Sequence, residues 1–214
     1  MENRQIQSRK RLVLAFLIGT LIFLIVFGIT YAISYLEYQR ISRLSQEISY
    51  DIFKDKIDIS FFGKTSCPLS SFQKISEDLR FQGGIIDDLE KKLGKNDERV
   101  LFRKKFYTLV ELEHLEFVKQ INKECNKKIP TILFFYSNEP SDISKAEEVG
   151  RILDTIHNRN LETMIYSFDV NLDDDLIMEL KAKYNVSEPP TILINEKIKI
   201  TNIQKIEEIE QYLK

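Results

Sequence analysis

Two cysteines are the side chains in this sequence best suited to covalent chemistry, and their placement is informative. Cys67 lies 27 residues before Gly94, and Cys125 lies 28 residues after Asp97. If residues 66–127 fold as two antiparallel helical arms joined at Gly94-Lys95-Asn96-Asp97, both cysteines return to the same open end. A Cys67–Cys125 disulfide would then close a loop of nearly sixty residues, worth about 4 kcal/mol in the chain-entropy account. The other reading is two unrelated free thiols, one of them merely buried. His114 falls on an apolar helical face with Val110, Val118 and Ile121, and His157 ends another helical pattern. Both read as structural or surface residues rather than as catalytic bases.

Other constellations have simpler explanations. Asp169, Asp173, Asp174 and Asp175 follow a strand-like run, where helix capping and first-turn dipole matching account for them without a metal. Asn185-Val186-Ser187 matches a glycosylation triplet of a kind common by chance. There is no Gly-rich phosphate loop and no metal-ligand spacing, so no metal and no small-molecule cofactor is expected. Formal net charge is −2 over 214 residues. Glu2, Arg4, Arg9, Lys10 and Arg11 give the first eleven residues +3, leaving −5 on the remainder. A mildly acidic body argues against nucleic acid, which needs a basic face.

The elements that must position the cysteines begin with a membrane-length segment. Leu12 to Ile33 carries no charge over 22 residues, a helix of about 33 Å against a hydrocarbon core of about 30 Å. It exceeds a signal-peptide core and no clear cleavage site follows, so residues 12–34 are expected as an uncleaved signal anchor. Tyr31, Tyr35 and Tyr38 suit an interfacial belt. The basic tail, residues 1–11, places the N-terminus in the cytoplasm, making this a single-pass cell-membrane protein with an extracytoplasmic body. Arg40 and Arg43 oppose that orientation weakly, with Glu37 and Glu47 interleaved.

Residues 35–65 read as a juxtamembrane connector, helical at first through Leu36, Ile41, Leu44 and Ile48. In the hairpin, Ser66 is the expected N-cap, with Pro68 in the first turn. Gly83-Gly84 should kink or break the first arm, and Asp97 should cap the second. From 128 to 214 strand-like and helical runs alternate as βαβαββα, an α/β arrangement of a sheet covered by helices. Asn195-Glu196 fits a tight hairpin turn.

This order, with Tyr184-Asn185-Val186 before Pro189-Pro190-Thr191, resembles the C-terminal part of a thioredoxin-like domain from about Ile129 to Lys214. The usual first strand and helix are not recognisable, and the second hairpin arm stands where that helix would be. The resemblance implies a cis-proline at Pro190 and a peptide groove at Pro189, Pro190 and Thr191. It also implies a CxxC pair at the first helix's N-terminus, where Ser141-Asp142-Ile143-Ser144 stands instead, with Ser141 capping the helix. A serine hydroxyl is far too weakly acidic to replace a thiolate without a base. The expectation is therefore a membrane-anchored protein-binding or scaffolding module with a protein or peptide partner and no catalytic residues, which argues against an enzyme. The alternative is a thiol–disulfide oxidoreductase or disulfide-handling accessory using Cys67 and Cys125, with the hairpin's open end against the Pro189-Pro190 loop.

Overall fold

The computed structural model describes residues 2–62 and 67–213. Ser66, the expected cap of the first hairpin arm, lies outside them. So do the side chains of Glu2, Arg4, Arg9 and Lys10, on which the expected orientation rests, and that of Ile41.

The chain divides into two compact units, residues 1–44 and 45–214, with the division inside the first helix, α1 (Glu2–Phe62). In the first unit the apolar run is exposed along its length. It is one apolar helix long enough to cross a membrane. The hydroxyls of Thr20 and Thr30 donate to the carbonyls of Phe16 and Val26, each at 2.9 Å, so neither needs water. Where a connector was expected, the helix continues to Phe62.

In the second unit, Ser45, Ile48, Ile52 and Asp55 are buried at intervals of three and four, one helical stripe of α1. The partner of that stripe is α2 (Leu69–Leu93). Gln82 donates to Ser45, Lys74 pairs with Asp51 at 3.4 Å and Ser71 donates to Asp55, so the two helices run antiparallel. α2 is continuous through Gly83 and Gly84, so the arm is not broken there. Close packing explains the first glycine. A Cβ on Gly83 would lie 2.7 Å from the Tyr107 hydroxyl, whereas one on Gly84 would meet nothing within 4 Å. Gly94, at φ 93°, ends α2. Asp97 then caps α3 (Glu98–Glu124), accepting from the Arg99 N–H at 2.9 Å.

The remaining chain forms β1 (Thr131–Tyr136), α4 (Ile143–Arg159), β2 (Met164–Asp169), α5 (Asp175–Tyr184), β3 (Thr191–Ile194), β4 (Ile198–Thr201) and α6 (Glu207–Glu210). The sheet order is β2-β1-β3-β4. β1 and β2 are parallel with Thr131 opposite Met164, and β1 and β3 are antiparallel with Phe135 opposite Thr191. Asn195 and Glu196, at φ 51° and 56°, make the β3–β4 turn. Ile132, Phe134, Ile192 and Ile194 pack on Val149, Leu153 and Ile156 of α4 and on Ile203 and Ile209. On the opposite face Phe135 meets Phe168 and Tyr184, with ring centroids 5.3 and 6.1 Å apart. This is a mixed α/β core of thioredoxin-like arrangement preceded by helices. In the closing segment Glu207–Glu210 is α-helical.

Three buried polar contacts fix α3 to β2. Lys104 joins Asp169, 2.7 Å away, and also pairs with Glu90 of α2. Glu111 Oε1 accepts the Ser167 N–H at 2.8 Å. His114 Nδ1 lies 2.8 Å from the Tyr166 hydroxyl, and its Nε2 lies 3.1 Å from Ser76 Oγ. Burial pushes the Glu111 carboxyl well above its usual range, against the opposing pull of the Ser167 N–H. Burial also pushes His114 down to about 4.

Two predictions follow from these contacts and from the glycine pair. In urea unfolding of the full chain in detergent, Gly84→Ala should add about 0.5–1 kcal/mol. Gly83→Ala should fall short of that gain, because Tyr107 must move. The second concerns pH. Between 6.5 and about 4 the unfolded chain protonates His114 and the folded chain does not. That contribution is complete above 6.5 and is lost on acidification, by roughly 3 kcal/mol at full extent. Glu111 acts oppositely: its folded pKa is raised, so its contribution is complete below about 4.5 and is lost as pH rises. Unfolding midpoints measured against pH should therefore lose their acid-side fall in His114→Gln and their alkaline-side fall in Glu111→Gln.

Candidate functional site

Cys67 and Cys125 sit at disulfide distance, with S–S 2.09 Å and Cα–Cα 5.9 Å across a sequence separation of 58. The hairpin brings them there from opposite helix poles. Pro68 is the N-cap of α2, so Cys67 stands immediately before the cap, and its carbonyl accepts the Leu69 N–H at 3.0 Å. Cys125 is the C-cap of α3 and donates its N–H to Ile121 at 2.9 Å. Asn126 follows at φ 52°, the left-handed step by which a helix is commonly ended. Both cysteines are partly buried.

The two cysteines enter the bond from unlike helix ends. Cys67 stands at the start of a 25-residue helix, the pole that attracts negative charge. Cys125 occupies the negative end of α3 beside Glu124, where a thiolate is disfavoured. Lys127 and Lys128 are exposed just after it and favour the approach of an anion. The Asp55 carboxyl also lies at the first turn of α2, accepting from Ser71. Burial raises its pKa, with the Ser71 hydrogen bond pulling the other way, so it competes less for the positive pole than an ordinary aspartate would.

This geometry corrects the expected function. A binding or scaffolding module without dithiol chemistry, and the matching argument against an enzyme, are overturned by a cysteine pair already at bonding distance. The premise was that Ser141 and Ser144 replace a catalytic CxxC, and nothing in the structure shows such a replacement. Ser141 lies in the turn before α4, where its hydroxyl bonds to its neighbour Asp142 at 3.3 Å. Ser144 is exposed in the helix's first turn. Nor does Ser141 cap the helix. Asp142 is the N-cap, without a side-chain cap bond.

The Pro189–Pro190 peptide bond is cis, and Pro190 and Thr191 are buried. Thr191 Oγ1 donates to the Glu188 carbonyl at 2.5 Å. This loop is not brought to the cysteines. Thr191 pairs with Phe135, near the end of β1. The other end of β1 is tied to the last turn of α3, where Asn122 exchanges hydrogen bonds with Ile129 at 2.8 and 3.0 Å. Lys119 reaches Glu196 in the β3–β4 turn at 2.6 Å. The disulfide and the cis-proline therefore lie toward opposite ends of β1. The expected packing of the hairpin's open end against Pro189-Pro190 is not what the structure has. At the far end it is the hairpin's closed turn that meets the loop after β1, through Lys95 and Asn138 at 2.9 Å.

No family model matches this sequence, and no curated protein matches it. Among solved structures, thioredoxin O2 from Arabidopsis thaliana in its oxidized state is 16% identical, over 45% of this chain and 83% of its own, with a TM-score of 0.33. A likeness that slight carries no argument. The thioredoxin-like arrangement of the core is its sheet order and the α4 crossover between parallel strands.

Proposed function

We propose that this chain is a membrane-anchored thiol–disulfide exchange protein whose reactive groups are Cys67 and Cys125. One observation carries the reading: a partly buried disulfide joins the start of one helix to the end of another. In the reduced state the Cys67 thiolate attacks one sulfur of a client disulfide, forming a mixed disulfide and releasing a client thiolate. Cys125, deprotonated as it reacts, attacks the Cys67 sulfur, restoring the internal disulfide and releasing the second client thiolate. The client gains two electrons, the pair loses two, and the thiol protons end on the client or in solvent. Run backwards, the same steps oxidise a client dithiol.

Residues 12–34 cross the membrane once, with the N-terminus cytoplasmic and the hairpin and sheet outside, in a compartment where disulfides persist. The uninterrupted apolar face and the internally bonded Thr20 and Thr30 support the crossing. The clients are proteins or peptides, and no nucleic acid or small-molecule cofactor takes part.

The test is exchange with oxidised glutathione by the full chain in detergent after reduction. At pH 7 the Cys125→Ser protein should accumulate a Cys67–glutathione adduct at least about tenfold faster than Cys67→Ser accumulates the Cys125 adduct. Equal rates, or a native disulfide that withstands excess dithiothreitol without denaturant, would overturn the reading.

A further inference from the structure

We infer that the outward face of α1 in the second unit, marked by Tyr50, Phe53 and Ile57, docks a second copy of this chain, the two helices lying parallel. The inference rests on the membrane anchoring proposed above and not on the thiol chemistry.

Within residues 45–62 the helix has two occupied sides. Ser45, Ile48, Ile52 and Asp55 turn inward, where Ser45 and Asp55 bond to Gln82 and Ser71 of α2. Tyr50, Phe53 and Ile57 stand on another side and stay 68%, 58% and 37% exposed. Exposed large apolar side chains grouped in this way mark a contact surface. Their spacing of three and then four residues is the seam of a coiled coil, with Tyr50 and Ile57 in one core position of the seven-residue repeat and Phe53 in the other. On the same count the inward residues fall outside the seam, so one helix can serve its own fold and a partner helix together. The stripe ends at Ser60, whose hydroxyl accepts from Gln120 of α3 at 3.0 Å.

The anchor selects the occupant. Copies held by the same apolar helix in one membrane enter it from the same side, so their α1 segments run in the same direction. Identical faces then meet about a twofold axis, each residue opposite its own counterpart. Tyr50, Phe53 and Ile57 pair with themselves, and no charge is buried between them. In this parallel register Lys54 of one copy falls beside Ser49 of the other, so like charges do not oppose each other there. Three side chains make a small interface. Confinement to one membrane offsets this, because it raises the effective concentration of one copy around another.

The test is disulfide crosslinking of the full chain in membrane vesicles, with single added cysteines and copper phenanthroline as oxidant. Tyr50→Cys, Phe53→Cys and Ile57→Cys should each give covalent dimer. Asp51→Cys and Asp58→Cys, on a different side of the helix, should remain monomeric, as should the chain without an added cysteine. Phe53→Glu sets two carboxylates face to face and should weaken association at least about tenfold, read as energy transfer between labelled copies in liposomes. An unchanged circular dichroism spectrum will show that this variant folds. Dimer from all five positions alike, or from none, overturns the seam, since a face covered by lipid or by another protein gives none. Undiminished association of Phe53→Glu overturns it too. Release of the chain by alkaline carbonate washing would instead remove the anchor, and with it the ground for parallel pairing.

Discussion

The buried polar seam between α3 and β2 is the constraint on which the rest of this structure depends. Lys104 to Asp169, Glu111 to the Ser167 N–H and His114 to Tyr166 lie along one face of one helix. Each contact satisfies a group that burial would otherwise penalise. Together they fix the depth and direction of α3 against the end strand. That direction carries the last turn of α3 to the start of β1 and delivers Cys125 there. The contact that seats the helix therefore sets the position of the sulfur.

The proposed reactivity draws on the open end of the hairpin and not on the turn after β1. An antiparallel hairpin places the start of one helix beside the end of the other, and the two cysteines meet between those ends. The proposed exchange takes Cys67 as the attacking sulfur and Cys125 as the resolving one, across a separation of 58 residues instead of one helical turn. Chemistry inferred from the residues of the β1–α4 turn alone misses a pair assembled across such a distance.

Much of the frame is legible in the sequence because its signals are local. Thr131–Tyr136 and Thr191–Ile194 are short β-branched and aromatic runs that form strands where their pattern places them. Asp97 caps α3 as a side-chain acceptor before a helical stripe should. The failures come from contacts that local pattern does not carry. Gly83 resembles a breaker until Tyr107 is seen against it. Residues 51–62 alternate polar and apolar side chains, yet continue a helix because Ile52 and Asp55 are buried within the second unit. Ser141 looks like a cap, but the helix begins one residue later. The seam had a faint signal. Lys104, Thr108 and Glu111 fall in line with Leu115 and Val118, all buried, and charged residues on an apolar face require partners whose identity only the tertiary structure supplies.

The reduction potential of the Cys67–Cys125 pair, measured on the full chain in detergent against glutathione and dithiothreitol buffers, tests the central claim most directly. An exchanging pair should lie within the range of known catalytic dithiols, about −120 to −270 mV. A value below about −300 mV would mark a structural bridge and contradict the account.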